Sequence, residues 1–332
     1  MGEDMKKEKY YVYCQGVLGV KTNIENFRWV YGSVAPETSH SEYEKCAIKL
    51  SIDIKPEKEL KTVDCYDEKF QSYFWQEHGK RLSCRRTLFG KIKMGYDIVI
   101  NDDGAAVEMG KNYYRLVKKR VMNLHDAYYL LSDIANVLLL KKGFLTLYSS
   151  AVKHSASGKG IVCFAPPNTG KTLTATKMCD YFGYELIGED IVITKDRVLY
   201  SCPYTSSYRK DKRGIDSAGA FGRLKKQVAS RTCERAEVTD MIVLSKGDER
   251  CLNESEVLRR ISILNGYLFN YYSSPIVKIL AYFDSGYDSD WNKKSEEILK
   301  EMVACCECRI VHSKDPIAYQ EHIRGIVEGE VK

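Results

Sequence analysis

The chain has 332 residues, of which 44% are hydrophobic and 29% are charged, a composition typical of a globular protein with one large or two medium domains. Its formal net charge of +6 is small for this length, and a dedicated nucleic-acid-binding protein concentrates more positive charge, so we expect no nucleic-acid partner. The 12 cysteines are scattered and no apolar leader segment precedes them, which favours reduced thiols and a cytoplasmic location.

Short β-branched or alternating runs, separated by polar turns, dominate the first 120 residues. Examples are Tyr10–Cys14, Cys46–Ile54 and Tyr96–Ile100, and the aromatic residues Phe74 and Trp75 are candidates for the core between them. No dense motif of His, Asp or Ser indicates an active centre in this part of the chain. We therefore expect residues 1–120 to form a mostly β region whose role is to recognise the acceptor.

The most apolar stretch of the sequence is Leu124–Leu140, and Gly143 follows it as a helix-ending residue. The stretch is too short and too polar to span a membrane, so no membrane partner is expected. Ser132, Asp133 and Asn136 recur at helical spacing. This spacing predicts a core-packing helix with one wet face.

From residue 121 to residue 332 the sequence alternates between apolar strands and amphipathic helices, which predicts an α/β domain. The predicted strands are Phe144–Ser150, Gly160–Phe164, Tyr184–Gly188, Met241–Ser245, Ile276–Phe283 and Arg309–Val311, with a hairpin formed by Ile191–Thr194 and Val198–Cys202. The predicted helices are Thr172–Phe182, the stretch around Ser255–Leu268, Trp291–Cys305 and Pro316–Val327.

The segment Ala165–Thr172, here called the phosphate-binding loop, matches the last three elements of the pattern G-x-x-x-x-G-K-[ST], with Ala165 where the first Gly usually stands. Such a loop directs backbone N–H groups at phosphate oxygens, and Gly170 permits its tight turn. We expect Lys171 to be exposed at a helix N-terminus and to reach the outer phosphates, with Thr172 ligating Mg²⁺. The predicted nucleotide-binding residues are Ala165, Asn168, Thr169, Gly170, Lys171, Thr172 and Leu173.

Two adjacent carboxylates, Glu189 and Asp190, follow the predicted strand Tyr184–Gly188 and are here called the acidic pair. A neighbouring parallel strand that ends in Asp or Glu supplies the metal ligand and the base of a phosphoryl-transfer site. Side chains alternate along an extended segment, so one carboxylate can face the metal while the other faces elsewhere. We expect Asp190 to ligate Mg²⁺ and either Glu189 or Asp190 to be the base.

The run Leu147–Val152, the loop and the pattern Gly183-x-x-Leu186-x-x-Glu189-Asp190 together resemble the HPr serine kinase family, including its relatives that phosphorylate a serine of a peptide precursor. The resemblance extends over roughly Phe144 to Glu328. It implies a P-loop kinase domain on a mixed, strongly curved sheet, as in phosphoenolpyruvate carboxykinase. It also implies that the acidic pair replaces a paired Asp-Asp which serves as base and metal-site residue.

A His commonly stands in this family where the present chain has Tyr148, and whether His154, six residues further on, takes its place stays open. The basic run Arg209–Gly214 corresponds to a family loop near the phosphates or the acceptor, which would let Lys210 or Arg213 neutralise charge. A solvated loop explains this run equally well. The segment Ser245–Asp248 resembles a guanine-reading element, but a hairpin turn explains it better.

These features predict an ATP- and Mg²⁺-dependent kinase that transfers the γ-phosphoryl group to a hydroxyl. The leading acceptor is Ser or Thr of a peptide or protein, with a small-molecule hydroxyl as a further candidate, and assembly into a homo-oligomer stays open. One alternative is a nucleotide-binding regulatory or GTPase-like switch without transferase activity. Another is a degenerate family member that binds ATP and transfers nothing.

Overall fold

The computed structural model describes residues 8–25, 27, 29–32, 35–60, 62–118, 127–167, 169–202, 232–245, 254–271, 276–283, 291–312 and 318–328. The chain divides into two compact units, each assembled from separate segments. The first unit comprises Met1–Phe27, Ala35–Lys142 and Tyr272–Lys293. The second unit comprises Arg28–Val34, Gly143–Tyr271 and Lys294–Lys332.

The first unit contains a nine-stranded mixed sheet of order β3-β1-β2-β4-β9-β8-β7-β6-β5. β2, β4 and β9 are parallel neighbours, and the other pairings in this sheet are antiparallel. Its strands are β1 (Lys9–Tyr13), β2 (Leu18–Thr22), β3 (Glu37–Thr38), β4 (Ile48–Lys55), β5 (Glu68–Phe70), β6 (Tyr73–Gln76), β7 (Arg81–Leu88), β8 (Ile92–Ile100) and β9 (Gly104–Gly110).

One face of this sheet is apolar and the other is polar, as side-chain alternation along each strand requires. On β4, Ile48, Leu50 and Ile52 are fully buried. Stacked rings of Trp75 and Phe283, with centroids 6.1 Å apart, extend the apolar core. The helices of this unit are α1 (His40–Glu44), α2 (Lys111–Lys118), α3 (Ala127–Lys141) and α6 (Ile276–Phe283).

The second unit contains an eight-stranded mixed sheet with the path β10-β14-β15-β16-β12-β11-β13, and β17 pairs with β16. Its strands are β10 (Leu145–Leu147), β11 (Ser149–His154), β12 (Gly160–Phe164), β13 (Tyr184–Gly188), β14 (Val192–Lys195), β15 (Val198–Tyr200), β16 (Arg235–Ser245) and β17 (Glu307–His312). The helices here are α4 (Lys171–Tyr181), α5 (Glu254–Tyr271), α7 (Trp291–Cys305, whose first residues belong to the first unit) and α8 (Tyr319–Glu328).

The core of the second unit lies where α4 and α8 meet the sheet. Ile161, Cys163, Ala175, Met178 and Tyr319 are buried together in one apolar cluster. Packing of this kind fixes the start of α4 relative to the end of β12. The connection between these two elements is the phosphate-binding loop, so the core holds both ends of that loop.

Two predictions about the helices are wrong. Ile276–Phe283 is a helix rather than a strand, because Ile276, Leu280 and Phe283 are buried at helical spacing while Tyr282 is exposed. The prediction that one face of α3 is exposed to solvent is also wrong. Three polar residues of this helix are buried: Ser132, Asp133 and Asn136, with 3%, 1% and 6% of their surface exposed. Each of them takes part in a hydrogen bond or another electrostatic or ring contact.

The other predicted elements are observed with ends that differ by up to six residues, the largest difference being the start of β16 at Arg235 rather than at Met241. Residues 124–126 and 316–317 of two predicted helices lie outside the described residues. The predicted strand Phe144–Ser150 is interrupted at Tyr148, which separates β10 from β11. The hairpin of β14 and β15 turns through Asp196 and Arg197, both with positive φ. In the part of the chain that the structure describes, no helix combines the length and apolarity that a membrane crossing requires.

Candidate functional site

The candidate site lies at one edge of the sheet in the second unit, where the chain leaves β12 and β13. β11 lies between these two strands and is antiparallel to both, so β12 and β13 run in the same direction. Ser149 pairs with Phe164, the last residue of β12, and Ala151 pairs with Gly188, the last residue of β13. The phosphate-binding loop and the acidic pair therefore both start at this edge, on opposite sides of the first residues of β11.

This arrangement corrects the expectation that the acidic pair would follow a strand directly next to β12. The parallel neighbour of β12 is β16, whereas β13 is one strand further away on the other side. β11 precedes β12 in the chain and pairs with it as an antiparallel neighbour. β13, which follows α4, pairs with the other side of β11.

The phosphate-binding loop joins a fully buried strand to the first turn of α4. Ala165 is completely buried, and Thr169 N–H donates to the Pro166 carbonyl over 3.3 Å. Gly170 precedes the helix with φ of +116°, in the left-handed region that side chains rarely adopt. Its carbonyl accepts from Thr174 N–H over 2.8 Å, which starts the helical ladder. Asn168, predicted to bind nucleotide, lies outside the described residues.

Lys171 is buried, with 5% of its surface exposed, and the expectation of an exposed lysine is wrong. Its ammonium Nζ donates to the Ala165 carbonyl over 2.7 Å and lies 4.0 Å from the centre of the Tyr148 ring. A ring face attracts a cation, and the apolar stem of lysine is readily buried while its ammonium remains hydrogen-bonded. The lysine therefore bridges the two ends of the loop. Thr172, the next residue, is half-buried, and the Leu173 side chain is exposed.

The acidic pair is held at its main chain by β11. The Ser150 hydroxyl donates a hydrogen bond to the Glu189 carbonyl. Glu189 is 2% exposed, whereas Asp190 is half-buried. Gly188 is needed in front of the pair, because a Cβ atom there would lie 2.6 Å from the Ile191 carbonyl oxygen. The two carboxylates thus have different environments, one enclosed and one partly open to solvent.

Sequence reasoning did not assign Ser150 a role, and it left open whether His154 replaces the family histidine. His154 is at the far end of β11, where it is hydrogen-bonded to Ser157 over 2.8 Å and packs on Tyr184. It is therefore not at the loop edge. Tyr148 occupies the position beside the loop and contacts Lys171 with its ring.

A cavity of about 590 Å³ lies on the β16 side of the loop, and no residue of β11 or β13 is among those that line it. Its lining is mostly apolar and comes from the loop, from the end of β16 and from α5: Pro166, Pro167, Thr169, Val243, Leu244, Ser245, Arg260, Ile263 and Leu264. Arg260 makes an ion pair of 3.3 Å with Glu256, one helical turn earlier. The cavity volume is in the range of small-molecule sites.

The chemistry of the donor groups suits a triphosphate with its magnesium ion. Buried Lys171 supplies a cation beside backbone N–H groups at a helix N-terminus. Thr172 and Asp190 supply hydroxyl and carboxylate oxygens, which Mg²⁺ prefers. Burial raises the pKa of the Cys163 thiol, one residue before the end of β12, to about 12, which disfavours the nucleophilic thiolate. The basic run Arg209–Gly214 and residues 246–248 of the guanine-reading resemblance lie outside the described residues.

Replacing Tyr148 by Leu is expected to lower the free energy of unfolding by about 2 kcal/mol, because the buried ammonium of Lys171 loses its ring. Tyr148→Phe, which retains the ring face, should cost much less. Chemical denaturation measures both variants. If the Tyr148→Leu cost is unchanged in a Lys171→Met background, the ring and the ammonium are not coupled and this interpretation of the contact is wrong.

No family model and no curated sequence matches the chain. Among solved structures, it is similar to the HPr(Ser) kinase/phosphatase from Coxiella burnetii, with 17% sequence identity over 32% of this chain and 70% of that chain, and a TM-score of 0.23. A TM-score this low does not establish a shared fold.

Proposed function

We propose that the chain is an ATP- and Mg²⁺-dependent kinase that transfers the γ-phosphoryl group to a hydroxyl, with Ser or Thr of a peptide or protein as acceptor. The observation that carries the proposal is the buried Lys171 at the start of α4, bonded to the first residue of the loop, with two carboxylates at the same sheet edge. If Lys171 had only a structural role, neither the acidic pair nor the glycine turn beside it would be needed.

Phosphate binding is the first step that these residues support. Backbone N–H groups at the start of a helix favour an anion, and the loop presents them next to the Lys171 ammonium. An ammonium carries three N–H donors, so its bond to the Ala165 carbonyl is compatible with contacts to phosphate oxygens. Phosphate binding would then use groups whose positions are already fixed in the protein.

Thr172 and Asp190 are the proposed magnesium ligands. When bound, the ion would neutralise charge on the phosphate oxygens and orient them. Thr172 is half-buried in the first turn of α4, and its carbonyl accepts a hydrogen bond of 2.8 Å from the Thr176 hydroxyl. Asp190 is the more open member of the acidic pair. It is therefore the carboxylate better suited to an ion that keeps several waters.

Glu189 is the leading candidate for the base, with Asp190 as the other. A serine hydroxyl is a poor nucleophile, and a positioned carboxylate that takes its proton increases its reactivity. The acceptor oxygen would form the new bond to the γ-phosphorus, the bond to the bridging oxygen would break, and ADP would leave. Because Ser150 holds the Glu189 carbonyl, β11 fixes the main chain from which the carboxylate projects.

The cavity beside the loop is the proposed place for the nucleoside. The strand order puts this cavity on one side of β12 and the acidic pair on the other, so a nucleotide lying along the loop would have its γ-phosphate nearer the carboxylates. A guanidinium plane such as that of Arg260 can stack on a base.

Arg260→Ala is expected to weaken Mg-ATP binding by about tenfold and to leave Mg-tripolyphosphate binding unchanged, because a guanidinium over an aromatic ring contributes about 0.5–2 kcal/mol. The matched control is Arg259→Ala, since Arg259 is exposed and does not line the cavity. Calorimetric titration with both ligands measures the difference. Equal weakening of ATP and tripolyphosphate binding would remove the cavity from the nucleoside site.

Phosphoryl transfer itself is tested with γ-labelled Mg-ATP, excess protein and a pool of serine- and threonine-containing peptides. The proposal predicts peptide labelling that depends on ATP and disappears in the Glu189→Gln, Asp190→Asn double variant. Tight GTP binding with slow hydrolysis and no labelled peptide would instead favour a regulatory switch. ATP binding without any turnover would indicate a degenerate family member.

A further inference from the structure

A second cluster of charged residues lies in the first unit, on the polar face of its sheet. Arg81, Ser83 and Arg85 alternate along β7 and therefore share one face. Across the neighbouring strands, Ser83 pairs with Asp97 on β8, and Arg81 pairs with Gln76 on β6. The register thus places one guanidinium group on each side of a single carboxylate.

The carboxylate of this cluster is buried and the two arginines are not equivalent. Asp97 is 1% exposed. The Arg85 Nη2 atom donates to both Asp97 oxygens over 2.9 Å, and its Nη1 atom donates to the carbonyls of Cys84 and Tyr96. Arg85 is therefore bound on several sides. Two guanidinium groups and one carboxylate leave the cluster with one positive charge in excess.

Arg81 is the arginine with the weaker contact to Asp97. Its Nη2 atom lies 2.9 Å from the second oxygen of Asp97, close enough for an ion pair. The N–H bonds are not directed at that oxygen, and no described residue accepts a hydrogen bond from this buried nitrogen. This nitrogen is therefore ion-paired with Asp97 but keeps N–H donors that no described residue uses.

A cavity of about 210 Å³ opens beside this arginine. Arg81 lines it together with Thr62, Val63, Gln76 and Ser83, and no carboxylate is among these lining residues. The side chains offer a guanidinium and two hydroxyl groups. The Gln76 amide N–H already donates a hydrogen bond to the Cys65 carbonyl, and this bond holds the Gln76 side chain in place at the cavity.

We propose that this cavity binds a small oxyanion, a phosphate or carboxylate group, through the Arg81 guanidinium and the Ser83 and Thr62 hydroxyl groups. Guanidinium is the side chain best suited to such groups, because its planar donors match two oxygens at once. A bound anion would accept from the unused N–H donors of the Arg81 guanidinium, beside its ion pair with Asp97, and neutralise the excess charge of the cluster. The proposal concerns residues of the first unit alone and is independent of the proposed kinase activity.

The test is calorimetric titration of the full chain with inorganic phosphate and, separately, with acetate. It is done in a Lys171→Met background, so that binding at the phosphate-binding loop does not obscure the result. Saturable binding of one anion per chain is expected. Phosphate binding more tightly than acetate indicates a phosphoryl group as ligand, and the reverse order indicates a carboxylate.

Arg81→Gln is expected to weaken this binding at least tenfold, whereas Lys93→Gln, which removes an exposed positive charge from the same sheet, should have no effect. Thr62→Val and Ser83→Ala should each weaken it several-fold, and they decide the matter if Arg81→Gln does not fold. Absence of saturable binding by either anion would overturn the proposal. So would binding that is unchanged in the folded cavity variants.

Discussion

Glu189→Gln is expected to slow phosphoryl transfer to a serine acceptor by about 10²–10⁴-fold while Mg-ATP affinity changes little. Gln keeps the size of Glu and its ability to accept hydrogen bonds, but it does not take a proton at neutral pH. The loss should therefore fall on turnover. Ser150 holds the Glu189 carbonyl and not its carboxylate, so the main chain around the substituted residue should stay in place.

Single-turnover kinetics with a serine-containing peptide measures this effect. The matched control is Glu185→Gln on the same strand, because Glu185 is half-buried and contacts Lys153 at 3.8 Å, away from the loop edge. A Glu189→Gln rate within tenfold of wild type would assign the base to Asp190, which Asp190→Asn then tests. Full activity of the double variant would contradict the kinase mechanism.

Lys171→Met is expected to weaken Mg-ATP binding by about 10- to 100-fold, since a hydrogen bond to a charged group contributes about 1.5–3 kcal/mol. Methionine keeps an apolar stem against the Tyr148 ring and removes only the charge and the donors. It is therefore a better probe than Lys171→Ala, which would also leave a void in a buried position.

Calorimetry on Lys171→Met is interpreted beside Lys177→Met, which removes a half-buried lysine from the same helix away from its N-terminus. Circular dichroism establishes that each variant is folded. Unchanged Mg-ATP affinity in a folded Lys171→Met protein would contradict the assignment of the phosphate-binding loop.

The local parts of the second unit could be predicted well from the sequence. The strand Gly160–Phe164, the glycine turn and the helix that follows are contiguous, so their pattern is contained in one short segment. The strand Tyr184–Gly188 has the predicted ends for the same reason. Elements with a strong local pattern need little information from the rest of the chain.

Features that depend on tertiary packing were not predictable in this way. Ile276–Phe283 is a short apolar run, and such runs do not distinguish a strand from a buried helix by periodicity. The burial of Lys171 depends on Tyr148, which is 23 residues away in sequence. Partners this distant have no local signature.

Sheet order and the composition of the units also lie beyond local patterns. Nothing in the segment before Glu189 indicates that β11 separates β13 from β12, because strand order depends on pairing between segments that are distant in sequence. The first unit similarly takes up Tyr272–Lys293, far along the chain from its other segments.

The most direct test of the central claim is a crystal structure with Mg²⁺ and a non-hydrolysable ATP analogue. The proposal predicts the β- and γ-phosphates at the loop Ala165–Thr172, with Lys171 Nζ within hydrogen-bonding distance of their oxygens and the ion bound to Thr172 and Asp190. Nucleotide bound elsewhere on the chain, with the loop empty at saturating concentration, would contradict it.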